Sequence, residues 1–313
     1  MKFVYSRYVG VALLAAVLAL LPLLASNAFY LDIANRIALN AMVVIGLNLL
    51  LGYTGQISLG HAGFFGVGAY ASAVLTSQLN WPPLLALAVG ALSVALLALL
   101  VARPILKLKG YYLAMATLGI GIIISIVINN EVKITGGPDG MAVPPFSLFG
   151  VAITGELHWY AFLATLLVLV TWGALNLIDS PAGRALQAIH GSEIAARVVG
   201  VDTTGCKVRV FVLSAVIASV AGSLSAHYVG FVTPGMAGFF QSIELVTMVV
   251  MGGMASVFGS IIGAALLTLL PQLLSGFEGW ESVMFGVILM ATMIFLPKGL
   301  VPTLHLRFAA EGR

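Results

Sequence analysis

Ten long apolar runs constrain this chain more than any other feature: residues 9–25, 36–52, 60–78, 84–102, 110–128, 158–178, 210–230, 242–254, 259–275 and 282–297. They are continuous rather than alternating, which suits membrane helices and not the strands of a membrane barrel. Charged residues supply only 8% of the chain and apolar ones 61%, against roughly 25% and 45–50% in soluble domains. So few charges cannot clothe a water-facing surface. The sequence therefore predicts an all-α polytopic membrane protein with about ten transmembrane helices, some of them broken, in a single transmembrane domain over 1–313. Lys2 and Arg7 precede the first run, which is longer than a signal-peptide core and lacks a clean Ala-x-Ala cleavage site. It reads as a retained first span.

The basic residues set the expected orientation. With ten spans, Lys2, Arg7, Arg103, Lys107, Lys109, Arg184, Arg197, Lys207, Arg209, Lys298, Arg307 and Arg313 fall on one side, and only Arg36 and Lys133 on the other. The positive-inside rule then places both termini and the 179–209 loop in the cytoplasm and the 129–157 loop outside. The lone cysteine, Cys206, excludes an intrachain disulfide and any cysteine-based metal cluster. No metal site is expected.

Glycine and polar residues break the apolar pattern at two places. Gly52 to Tyr70 holds six glycines together with Gln56, Ser58 and His61. Gly252-Gly253-Met-Ala-Ser256 interrupts a later run. Any one glycine fits close helix packing. As a pair, Gly55-Gln-Ile-Ser58 and Gly253-Met-Ala-Ser256 each open a break and lead into a small-residue helix, a weak internal repeat. Irregular backbone at membrane depth survives where protein covers it or where it lines a cavity, and paired interruptions point to a translocation path. Gly55, Gln56, Ser58, His61, Gly252, Gly253 and Ser256 are thus candidates for the path or for an interface with another membrane subunit. The half-helix amides there are expected to favour a passing carboxylate.

The 179–209 loop carries helix signals of its own. Ser180-Pro181 is a cap followed by a first-turn proline, and a second short helix from Ser192 stops at Gly200. Such a segment lies on the membrane surface or docks in a groove of another protein. Gly183, Arg184, Glu193, Ala195, Ala196, Arg197 and Gly200 are its candidate contact residues.

Three classes of function fit parts of this pattern. Ser58 and His61 share a helical face, which suits an intramembrane hydrolase, but no Gly-x-Ser-x-Gly elbow is present; Ser58 is expected instead to cap a half-helix, and the chain is not expected to be an enzyme. An ion-coupled carrier would need more ionisable residues within its spans than His61, His227 and Glu244. No phosphate-binding Gly-x-x-x-x-Gly-Lys-Ser/Thr loop exists, so ATP would be used by a partner and not by this chain.

The residues 52–65, Leu108–Gly119, Thr135–Gly140, Gly183–Ile189, Glu193–Arg197 and Val250–Ser256 together resemble the LivM-type permease of branched-chain amino acid ABC importers, over about residues 40–300. The resemblance implies a prokaryotic inner-membrane, multi-pass subunit of a heteromeric importer. It implies a second related permease, two cytoplasmic ATPases and an extracytoplasmic amino-acid-binding protein as partners, no cofactor in this chain, and a coupling loop at 180–200. Ala195-Ala196-x-x-x-Gly200 matches the core of the general coupling loop, whereas Glu193-Ile-Ala-Ala departs from its tighter Glu-Ala-Ala. Permeases for urea and other amides share these motifs.

Overall fold

The computed structural model describes residues 2–24, 27–148 and 150–274, together with 283, 284, 286, 287, 290, 294, 299–301 and 303. Its elements in chain order are α1 (Lys2–Leu24), α2 (Ala28–Thr54), α3 (His61–Ser77), α4 (Pro83–Ile105), α5 (Tyr111–Asn130), the short α6 (Val132–Thr135), α7 (Glu156–Asp179), α8 (Pro181–Gly191), α9 (Glu193–Val198), α10 (Thr203–Val229), α11 (Phe239–Gly252) and α12 (Val257–Leu274). The first nine apolar runs each fall on a helix; most of the tenth lies outside the described residues. Two short antiparallel ribbons decorate one face, Met141–Ala142 with Phe231–Val232 and Ser147–Leu148 with Val151–Ala152.

Six described helices, α2, α4, α5, α7, α10 and α12, are long and apolar enough to cross a membrane. α11 has 14 residues, a rise of about 21 Å, short of the roughly 30 Å hydrocarbon core. Its end and the start of α12 make a close antiparallel hairpin. A Cβ on Gly252 would strike the carbonyl oxygen of Gly259, and one on Gly263 that of Met248.

α2 and α10 are the axis of the bundle. Ala41, Val43, Val44, Leu47 and Leu50 of α2 are buried, as are Ala215, Ala218, Ala221 and Leu224 of α10. α10 packs most closely on α3, because a Cβ on Gly222 would meet the Phe65 carbonyl. Small side chains admit this approach, and dispersion and polar contacts then hold the helices where the hydrophobic effect cannot. α4 and α5 turn Leu92, Leu96, Leu100, Ile123 and Ile126 outward, the surface a hydrocarbon solvent tolerates.

Helix ends gather on two opposite faces. On one, Gly55 at the end of α2 lies against His190 of α8, and Lys109 and Lys207 reach Glu193. On the other, Gln78 after α3 donates to the Ile134 carbonyl, and Asn35 of α2 donates to Glu156 at the start of α7. Tyr160 of α7 donates to the Leu18 carbonyl near the end of α1, as expected of antiparallel neighbours.

Candidate functional site

The first break starts where α2 ends in a left-handed glycine. Gly55 has φ +69°, and the amides of Gly55 and Gln56 fold back on the carbonyls of Leu51 and Leu50. A residue with a side chain resists this conformation. The chain then climbs to the middle of the bundle. Leu59 N–H donates to Thr117 Oγ1, and Gly60 sits against the Thr117 carbonyl and Gly121, midway along α5. α3 therefore begins inside the bundle.

Its first side chain, His61, is buried between two hydroxyls, with Nδ1 2.8 Å from Ser58 Oγ and Nε2 2.7 Å from Ser214 Oγ of α10. Phe64 and Phe211 meet the ring edge-on. Only one of the two nitrogens of a neutral imidazole donates, so the hydroxyls supply the complementary roles. The expectation that Ser58 caps α3 fails: the cap position is Gly60, which offers no side chain, while Ser58 is committed to His61. A serine and a histidine do touch, yet no carboxylate orients the ring and the second nitrogen is taken by Ser214.

Two more amides near the start of α3 are also occupied. Ala62 N–H donates to Ser242 Oγ of α11, and Gly63 N–H to the Gly60 carbonyl. The amides of Gly60 and His61 have no hydrogen-bond partner among the described residues. Gln56 is also buried, and neither its Nε2 nor its Oε1 has a hydrogen-bond partner among the described residues.

Asn48 of α2 closes the second break. Its Nδ2 lies 3.3 Å from the Gly253 carbonyl, 2.9 Å from that of Ser256 and 2.7 Å from Ser260 Oγ, and its Oδ1 accepts from Ala255 N–H at 3.0 Å. Gly253 adopts φ +121°. Ser256 then caps α12 by accepting from Gly259 N–H. The sequence reading named Gly252, Gly253 and Ser256 but missed Asn48. The signal was present, since a lone carboxamide in an apolar run must find an internal partner.

α8 and α9 form the third component. Ser180 accepts from Gly183 N–H and Ser192 from Ala195 N–H, as the cap signals predict. α8 packs on α2, α7 and α10. Glu193 anchors α9: it lies 2.7 Å from the buried Lys207, 3.1 Å from Arg197 and 3.9 Å from Lys109. Partial burial acts to raise the Glu193 pKa, but the Lys207 hydrogen bond and charge, with Lys109 and Arg197, outweigh it and hold the carboxyl below its ordinary value. Arg184 donates to the Asp179 carbonyl. Ala196 turns inward at 2% exposure, whereas Ile194, Val198 and Val199 stand 73%, 80% and 77% exposed, beside exposed Ala195 and Gly200. Among the described residues, no three His, Cys, Asp or Glu side chains gather to hold a metal ion.

Compared with known proteins, residues 29–297 match the family described as branched-chain amino acid transport system / permease component. The high-affinity branched-chain amino acid transport system permease protein LivM of Salmonella typhimurium is 35% identical, covering 87% of this chain and 69% of its own length. The corresponding LivM of Escherichia coli is 34% identical over the same shares. LivH of Salmonella typhimurium, a permease protein of the same name class, is 26% identical over 83% of this chain and 90% of its own. No solved structure matches the chain significantly.

Proposed function

This chain belongs to the family of branched-chain amino acid transport permeases, and from that premise we propose that it is the LivM-type subunit of an ABC importer in a prokaryotic inner membrane. It would form the translocation path with a related second permease, LivH being the kind of relative that supports such a pairing. Two cytoplasmic ATPases would supply the energy, and an extracytoplasmic binding protein would deliver the amino acid. In this reading both termini and the 179–209 loop are cytoplasmic, and the 129–157 loop is outside. The two breaks, through Gly55, Gln56, Ser58 and His61 and through Gly252, Gly253 and Ser256, line the path or the contact between permeases.

The observation that carries the reading is the build of α8 and α9. Ile194, Val198 and Val199 present an apolar face to water on an element that ions and caps hold firm, and solvated apolar knobs are what a partner groove covers. Gly183, Arg184, Glu193, Ala195, Ala196, Arg197 and Gly200 shape that element and are the ATPase-coupling residues of the proposal. Because Gly55 touches His190, movement of α8 reaches the first break directly. The test is an Ile194→Asp/Val198→Asp variant in the assembled transporter. Uptake of leucine should fall about tenfold or more while the chain still inserts, and substrate should no longer stimulate ATP hydrolysis. Normal coupling in that variant would show that the loop only lies on the membrane surface.

A further inference from the structure

We propose that the crevice where α7, α8 and α10 meet is a seat for one anionic membrane phospholipid, held by Arg209. The inference goes beyond the importer reading and needs only that the chain lies in a bilayer. Leu177 of α7, Ala182 and Leu186 of α8, and Cys206, Val210 and Leu213 of α10 line the crevice, and Arg209 is its charged member.

Its depth follows from helix length. α10 has 27 residues, about 40 Å at 1.5 Å per residue, whereas the hydrocarbon core is roughly 30 Å thick. The first turns of α10 therefore reach the headgroup level. Arg209 stands about 9 Å along the helix from Thr203, close to the boundary between headgroups and chains. Leu177 sits two residues before the end of α7, and α8 leaves the bundle from that end.

Arg209 and Leu213 are both exposed and lie one turn apart on α10, so they share a face. A cation at the water end of that face and an apolar side chain deeper in the bilayer match the polarity of an amphiphile. Lys207 is spent on Glu193 and Arg184 donates to the Asp179 carbonyl, whereas the Arg209 guanidinium has no hydrogen bond or ion pair among the described residues. Its planar fork fits two oxygens of a phosphate.

The size of the crevice decides against a free soluble ligand. It holds about 120 Å³, below the roughly 300–1,000 Å³ of small-molecule sites. A phospholipid lodges only its glycerol shoulder and the start of one chain there, because the surrounding bilayer solvates the rest. A net-negative headgroup is favoured over a zwitterionic one, which would bring a second cation to the guanidinium; basic pockets between membrane helices take anionic headgroups for this reason. The seat lies against α8, so its occupant ties that element to the spans.

Cys206 lines the crevice and is the chain's single cysteine, so it reports on the occupant. The purified full chain is placed in nanodiscs of phosphatidylcholine alone or of an equimolar mixture with phosphatidylglycerol. Uncharged N-ethylmaleimide should alkylate Cys206 about fivefold more slowly in the mixed discs, the preference expected of one basic group at an anionic surface. Arg209→Gln should abolish that difference and Arg209→Lys should keep part of it. The comparison within the mixed discs separates a lodged lipid from the general effect of a negative surface on thiolate formation. Phosphatidylglycerol should also co-purify with the wild-type chain and be lost from Arg209→Gln. Equal alkylation rates in the two kinds of disc, or a slowing that Arg209→Gln retains, overturns the seat. Equal protection by soluble glycerol phosphate in phosphatidylcholine discs shows an anion site without a lipid, and overturns it as well. None of these readouts depends on transport, so the importer reading stands or falls separately.

Discussion

At the scale of single residues, one carboxamide replaces the helix bonds that the second break gives up. Asn48 offers two donors and an acceptor, and the turn at 253–256 uses all of them. Ala255 even holds φ +58°, a region a non-glycine residue visits at a cost of about 1–2 kcal/mol; its amide bond to Asn48 helps keep it there. Replacing Asn48 with Leu strands these groups in an apolar interior. The cost should be about 1–3 kcal/mol, the lower end reflecting the weaker hydrogen-bond contributions measured in membrane proteins. A lowered thermal midpoint of the purified chain in detergent is the expected result, and an unshifted midpoint would show that the turn is held by the Gly252–Gly259 packing instead. The glycines of this break were legible in the sequence because their role is local. Asn48 was not, because its partners lie some two hundred positions away and only the fold brings them to it. His61 shows the same limit: Ser58 was readable as a neighbour, Ser214 was not.

At the scale of elements, α8 and α9 were legible almost residue by residue, since Ser180, Pro181, Ser192 and Gly200 act within a turn of their own positions. The inward turn of Ala196 and the ion cluster were hidden, because α9 has only six residues and takes its orientation from Lys207 and Lys109 rather than from its own periodicity. The cluster predicts a pH dependence. The Glu193 carboxyl is held below its ordinary value, so it contributes stability that is fully present above the unfolded-state value and is lost as pH falls through the lower folded value. A Glu193→Gln variant loses that contribution at every pH. Thermal midpoints of wild type and Glu193→Gln should therefore differ near neutrality, and the gap should close on acidification below the usual glutamate range. A gap that stays constant with pH would mean that the ion pairs do not stabilise α9. Gln has no carboxylate for the buried Lys207 ammonium, so the neutral-pH gap should be larger than that of an exposed surface pair.

At the scale of the whole molecule, two independent arguments sort the chain onto two faces. The first is the segregation of basic residues: Lys109, Arg184, Arg197, Lys207 and their neighbours fall on one predicted side, Arg36 and Lys133 on the other. The second is geometric. Contacts from Lys109 to Glu193, from Lys207 to Glu193 and from Gly55 to His190 draw the ends of α2 and α4 and the starts of α5 and α10 to one face. Asn35, Glu156, Tyr228, Gln78 and Ile134 meet at the opposite face. The charge pattern was readable because it needs only the order of the spans; the break levels were not, because depth depends on which neighbour each break rests against. The chain's single cysteine turns orientation into a measurement. Cys206, at the start of α10, is partly accessible and belongs to the face that carries α8 and α9. A membrane-impermeant thiol reagent added to intact cells should leave it unlabelled and should label it in inverted vesicles. A second thiol, Asp139→Cys in a Cys206→Ser background, lies at an exposed position of the other face and should show the reverse pattern. Labelling of both thiols from the same side would break the two-face arrangement. A clean exchange of the two patterns would keep the arrangement but invert the chain in the membrane, and the α8–α9 element would then face away from any cytoplasmic ATPase.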